Sequence, residues 1–132
     1  PDVKVAGSQQ CLSGGGGPDL IAGLGGDDTL SGAGDDDRLI DGAGQDSLTG
    51  GAGADVFVFV NDGQADSITD FEDGLDRIDL GGLPMLHGIN QLTLDQQGGA
   101  VRLTFGDETL LVSSDGGLQV AELTTDDFIF GF

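Results

Sequence analysis

Large apolar residues recur every nine positions between Gly14 and Val58: Ile21, Leu30, Leu39, Leu48 and Phe57. Each sits in the middle of a triplet whose outer members need not be buried, as in Thr29-Leu30-Ser31. One inward residue between two outward ones is a very short β-strand. The half-block before each triplet is rich in glycine, which accepts positive φ at no steric cost and so reads as a tight turn. A single inward side chain per block cannot build a core. Stacked blocks can, and the pattern predicts a solenoid around a thin column of Ile, Leu and Phe.

The blocks are GGGGPDLIA, GLGGDDTLS, GAGDDDRLI, DGAGQDSLT and GGAGADVFV, in register without insertion. Their sixth place is always aspartate: Asp19, Asp28, Asp37, Asp46 and Asp55. A block supplies one turn and one strand, so two blocks close a coil and alternate blocks share a side. Asp19, Asp37 and Asp55 then line one edge, and Asp28 and Asp46 the other. Successive coils lie about 4.8 Å apart, the strand spacing. Carboxylates that close raise each other's pKa unless a cation lies between them. Together with glycine carbonyls they form an oxygen cage that suits Ca²⁺ better than the smaller, water-retaining Mg²⁺.

The blocks resemble the nonapeptide G-G-x-G-x-D-x-U-x of the repeats-in-toxin (RTX) family, a calcium-binding repeat. The resemblance implies an all-β chain: a right-handed parallel β-roll of nonapeptide repeats, followed by an antiparallel β cap. It implies at least three Ca²⁺ ions, joining Asp19 with Asp37, Asp37 with Asp55, and Asp28 with Asp46. Gly15, Gly17, Gly26, Gly32, Gly34, Gly44, Gly51 and Gly53 are the glycines expected to complete these sites. The departures are Leu24 and Ala33 for the second glycine, Asp41 for a first glycine and Asp35 for a fourth. Aspartate visits the left-handed region more readily than most residues, so the turn at Asp35 can survive. Asp27, Asp35, Asp36 and Asp41 read as solvated turn charges rather than ligands.

Residues 1–13 read as a degenerate N-terminal cap repeat, with Gln10 at the aspartate place and Leu12 at the apolar place. The calcium roll is expected over 14–58 and the C-terminal cap over 59–132. An alternating strand over Val56–Val60 should open the cap. The run from Asp66 to Leu80 resembles the segment that follows the repeats in serralysin-type metalloproteases. Ile68, Phe71, Ile78 and Leu80 should face inward there, and Asp66, Asp70, Asp73 and Asp76 are candidates for one further Ca²⁺ site. Strands are expected over Gln91–Asp95, Ala100–Phe105 and Glu108–Val112, with turns at Gln97-Gly98-Gly99 and Gly106-Asp107. Leu92, Leu94, Val101, Leu103 and Phe105 should point inward, with Val120, Leu123 and Phe128 to Phe132 completing the cap.

The formal charge is −20, from 24 acids against four Lys and Arg. Such a surface repels nucleic acid and anionic membranes, and no long apolar run offers a membrane span. Acidity of this degree suggests disorder, but 37% hydrophobic residues and a strict repeat suggest a chain that folds once its charge is neutralised. The lone Cys11 excludes an internal disulfide and reads as a small core residue; the lone His87 reads as a surface or structural one. No H-E-x-x-H, G-x-S-x-G, Walker lysine or EF-hand loop is present, so no catalytic role is expected.

The chain begins at Pro1 without a signal peptide and reads as a fragment of a larger protein. The resemblance implies a secreted, extracellular bacterial protein exported by the type I apparatus. Asp126 to Phe132, acids followed by apolar residues, looks like the uncleaved export signal. Its partners would be calcium, that apparatus and an upstream catalytic or effector domain. An alternative is a module that binds a polysaccharide or a partner domain, as in alginate epimerases, though the basic residues are only Lys4, Arg38, Arg77 and Arg102.

Overall fold

The computed structural model describes residues 3–5, 11–59, 65–72, 75–80, 93–105, 108–114 and 128–129. Every regular element among them is a strand. β1 (Val3–Val5), β3 (Leu20–Ala22), β5 (Arg38–Ile40), β7 (Val56–Val58), β9 (Arg77–Asp79) and β13 (Phe128–Ile129) form one sheet in that order. All its pairs are parallel. β2 (Cys11–Ser13), β4 (Thr29–Ser31), β6 (Ser47–Thr49) and β8 (Ala65–Ile68) form the parallel part of a second sheet. Beyond β8 that sheet continues through β12 (Glu108–Ser113), β11 (Ala100–Phe105) and β10 (Thr93–Gln97). From β1 to β9 the strands alternate between the two sheets, so this part is a parallel β-roll.

The strands are three residues long because a block has one inward position. Ile21, Leu39, Phe57 and Ile78 are in register in the first sheet, and Leu12, Leu30, Leu48 and Ile68 in the second. All but Leu12, which is half-buried, are fully enclosed. Phe59, Phe71, Leu80, Val101, Leu103, Leu110 and Val112 continue the core, and Leu94 packs partly against it.

The parallel ladders do not stop at Val58. Asp66-Ser67-Ile68-Thr69 and Asp76-Arg77-Ile78-Asp79 keep the second half of the nonamer, an aspartate followed by an inward apolar residue between two outward ones. Only the turns lengthen: β8 pairs with β6 and β9 with β7. The strand expected over Val56–Val60 is only Val56–Val58; Phe59 turns inward, and its N–H donates to Asp79 O.

The cap mixes two directions. β10, β11 and β12 are antiparallel hairpin partners, with Gly98 at φ 64° in the first turn. β12 meets β8 in parallel, and β13 meets β9 in parallel, so the cap is stitched to the roll as further rungs. Among the described residues β10 spans Thr93–Gln97, running past the expected end at Asp95 because the Gly98-Gly99 turn lets pairing reach Gln97↔Ala100. Cys11 is exposed, not core, because it takes an outward place beside Leu12. Gln10, Asp73, His87, Leu92, Gly106-Asp107, Val120, Leu123, 126–127 and 130–132 lie outside the described residues.

Leu39→Ala empties a fully buried place in the column and should cost about 2–5 kcal/mol, whereas exposed Thr29→Ala should stay within about 0.5 kcal/mol. Thermal unfolding in calcium of the two variants checks this.

Candidate metal centre

Turns 14–19, 32–37 and 50–55 lead from the second sheet to the first and stack along one edge of the roll, where Asp70 and Asp76 join them. Turns 23–28 and 41–46 stack along the other. The sixth-place aspartates form a ladder on each edge. The Asp19 N–H donates to Asp37 Oδ1 at 2.8 Å, and the Asp37 N–H to Asp55 Oδ1 at 2.9 Å. On the other edge the Asp28 N–H donates to Asp46 Oδ1 at 2.8 Å. The expected pairings are therefore brought together, each carboxylate reaching back one coil to the backbone of its counterpart. All five aspartates are buried.

The second carboxylate oxygen has a different setting. Asp37 Oδ2 and Asp55 Oδ2 are buried and accept no hydrogen bond. They turn instead into their own turn, over the first-place glycine. A Cβ added to Gly32 would fall on Asp37 Oδ2 and lie 2.6 Å from Gly50 O. At Gly14 it would lie 2.5 Å from Asp19 Oδ2 and 3.0 Å from Gly32 O. At Gly23 it would meet Asp41 O and lie 3.0 Å from Asp28 Oδ2. At each of these places a side chain would collide with one carboxylate oxygen and one carbonyl oxygen from the next coil, so glycine is what lets the two oxygens come together. Anionic and carbonyl oxygens brought this close together suit a hard divalent cation such as Ca²⁺. The residues present fit Ca²⁺.

The first-place carbonyls of Gly50 and Asp41 were not among the expected donors. The signal was present in the glycine at that place in every block but one. Gly15, Gly17, Gly26, Gly44, Gly51 and Gly53 adopt positive φ and shape the turns, and Gly34 N–H donates to Gly15 O at 3.4 Å.

The other acids divide. Asp66 extends one ladder, accepting from the Asp46 N–H at 2.8 Å, and Asp76 the other, accepting from the Asp55 N–H at 2.9 Å. Asp70 accepts from the Gly50 and Gly51 N–H groups at 2.9 and 2.7 Å. Asp66 thus lies with the edge of Asp28 and Asp46, while Asp70 and Asp76 lie with the edge of Asp55. Asp41 is fully buried rather than solvated, and its carboxylate lies with those of Asp46 and Asp66, their oxygens within 4.8 Å of one another. Asp27, Asp35 and Asp36 are exposed, but each accepts a backbone N–H from a neighbouring coil, at Gln45, Gly17 and Ala54.

Crowding and dryness leave their mark on protonation. Burial pushes the Asp55 carboxyl up to about 7, reinforced by the charges of Asp76, Asp37 and Asp70. Asp76 rises to about 6 through burial, with Glu72 and Asp70 adding to it. Asp37 is raised too, by burial and then by Asp19, Asp35 and Asp36. Groups that hold protons more tightly when folded stabilise the fold below their ordinary pKa, and that contribution is lost as pH rises through the folded value. Without cation, the fold should therefore strengthen as pH falls from about 7 toward 4. With calcium the trend should reverse, since protons and metal compete for the same oxygens. The β content in chelator and the melting temperature in calcium, each followed between pH 7.5 and 5, check both signs; parallel trends would contradict the assignment.

The Peptidase M10 serralysin C terminal family model matches residues 12–131. The fold is shared with the extracellular lipase LipA from Serratia marcescens, at TM-score 0.73 and 20% identity, over 93% of this chain and 20% of that one. The chain thus spans about a fifth of the lipase. Two subunits of the mannuronan C5-epimerase AlgE6 from Azotobacter vinelandii are also similar. AlgE6R2 gives TM-score 0.72 and 28% identity over 99% of this chain and 92% of that one. AlgE6R3 gives TM-score 0.63 and 26% identity over 98% and 78%. No curated protein matches the chain. With nearly its whole length covered by that family model and a parallel β-roll as its fold, the chain belongs to the serralysin C-terminal family of RTX-type repeats.

Proposed function

We propose that this chain is a non-catalytic calcium-binding module of a larger secreted bacterial protein, whose folding is driven by Ca²⁺ outside the cell. The observation that carries this reading is the pair of buried oxygens, Asp37 Oδ2 and Asp55 Oδ2, that accept no hydrogen bond and face glycines with no side chain. Asp19, Asp37 and Asp55 on one edge and Asp28 and Asp46 on the other would hold the ions, with first-place carbonyls beside them. Asp66, Asp70 and Asp76 would extend the two edges toward the cap. Bound calcium supplies positive charge between carboxylates that otherwise repel.

The chain's own residues set the coupling. The Oδ1 bonds to the preceding coil exist only when the coils are stacked, so the site is made by folding. An ion that binds only the folded chain stabilises it by mass action. Extracellular calcium modules bind at about 10⁻⁴–10⁻³ M. A chain of such affinity stays unfolded where calcium is scarce and orders where it is plentiful, which suits export through the type I apparatus. In this reading residues 1–13 are a worn first repeat, residues 14–58 the regular roll, and the remainder its cap, ending in the export signal.

A second reading is favoured by the outward face of the first sheet. Arg38 and Arg77 stand there among Leu20, Ile40, Val56 and Val58, and two epimerase subunits share the fold. That face would bind a polyuronate. Arg38 is engaged with Asp79 at 3.2 Å, which lowers the positive charge on offer. Retention on immobilised alginate that falls with Arg38→Ala would support this reading.

Far-ultraviolet circular dichroism should show β structure appearing with added Ca²⁺ and disappearing in chelator; an unchanged spectrum rejects the coupling. Calorimetry should count at least three ions. Asp37→Asn touches two pairs and Asp19→Asn one, so Asp37→Asn should weaken binding more, by at least the roughly tenfold seen on losing even an outer partner at metal sites.

A further inference from the structure

The second and fourth places of every nonamer adopt positive φ. Glycine holds most of them, but Leu24 (φ 64°), Ala33 (φ 76°) and Asp35 (φ 68°) do not follow the rule. The left-handed region brings Cβ against the following carbonyl, a cost that aspartate bears better than leucine or alanine. Asp35 also recovers a hydrogen bond, its Oδ2 accepting from the Gly17 N–H at 2.8 Å. Leu24 and Ala33 have no such return. Leu24 is 56% exposed and Ala33 is exposed, so burial does not explain either.

Neighbouring coils explain why glycine is enforced elsewhere. A Cβ on Gly42 would strike Leu24 O, and one on Gly51 would strike Ala33 O. Their glycines answer to a backbone packed against them. Leu24 and Ala33 themselves direct their side chains into open surface, so their cost is purely conformational and exists only in the folded chain.

We propose that Leu24 and Ala33 set the calcium threshold of this module. The inference rests on the calcium-driven folding proposed above. Both residues lie in turns that carry a ladder aspartate, Asp28 in one and Asp37 in the other. The strain lowers the population of stacked coils in the metal-free chain. More calcium is then needed before the ladder forms, and the chain stays unfolded over a wider range of low calcium.

The test is a calcium titration of the full chain, followed by circular dichroism. The variants are Leu24→Gly combined with Ala33→Gly, Gly15→Ala and Gly16→Ala. The double variant should lower the calcium midpoint by about twofold, the shift expected when a roughly tenfold gain in the folding constant is shared among three ions. Gly15 and Gly16 both have room for a Cβ, but only Gly15 has positive φ, at 87°. Gly15→Ala should therefore raise the midpoint and Gly16→Ala should not. A double variant with an unchanged or higher midpoint, or without β signal at saturating calcium, overturns the proposal. So does a Gly15→Ala midpoint no higher than that of Gly16→Ala. A wild-type chain with no calcium transition at all would instead defeat the folding mechanism on which the proposal stands.

Discussion

Carboxylates stacked inside dry turns, one coil above another, are the constraint on which this fold depends. Asp37, Asp46, Asp55, Asp66 and Asp76 each give one oxygen to the backbone of the preceding coil. That bond orients the side chain and fixes the coil-to-coil register. It also commits the second oxygen to the interior of the turn, where Asp37 and Asp55 find no donor. A buried carboxylate with half its hydrogen bonds made either takes up a proton or finds a cation. The raised pKa of Asp55 and Asp76 is the first response, and the carbonyl oxygens gathered beside the carboxylates at the first-place glycines suit the second.

The rest of the roll has little with which to offset that cost. Hydrophobic stabilisation grows with apolar area removed from water. A three-residue strand removes one side chain from water per block, while the glycine turns raise the entropy lost on ordering. The column of Ile21, Leu30, Leu39, Leu48 and Phe57 is therefore enough to define the fold but thin as a source of stability. The cap adds Phe71, Val101, Leu103, Leu110 and Val112 to the same core, and closes the end of a column that would otherwise meet water. Its parallel joints, β12 on β8 and β13 on β9, let that closure occur without breaking the ladders.

The places that neither ladder nor column dictates differ between the two sheets. Around β4, β6 and β8 the outward residues are Thr29, Ser31, Ser47, Thr49, Ser67 and Thr69, with the Thr49 and Thr69 hydroxyls 2.6 Å apart. Around β3, β5 and β7 they are Leu20, Ala22, Arg38, Ile40, Val56 and Val58. A nonamer restricts its glycines, its sixth place and its eighth, and leaves the seventh and ninth open. The two surfaces of the roll can thus diverge while the fold is unchanged.

The repeat, the inward column and the pairing of Asp19 with Asp37, Asp37 with Asp55 and Asp28 with Asp46 were legible in the chain alone. Each rests on residue type at a fixed interval, and two half-turns must close a coil. The continuation into β8 and β9 was half-visible in Asp66-Ser67-Ile68-Thr69 and Asp76-Arg77-Ile78-Asp79, but their turns carry no glycine period to announce it. Tertiary structure decided the rest. Asp41 is buried beside Asp46 and Asp66 because the coils close over it, although its sequence setting is that of a surface turn. The carbonyls of Gly50 and Asp41 face neighbouring turns because of how one backbone stacks on another. Residue types repeat along the chain and can be read there; which backbone oxygen faces which carboxylate is settled only when separate coils come into contact.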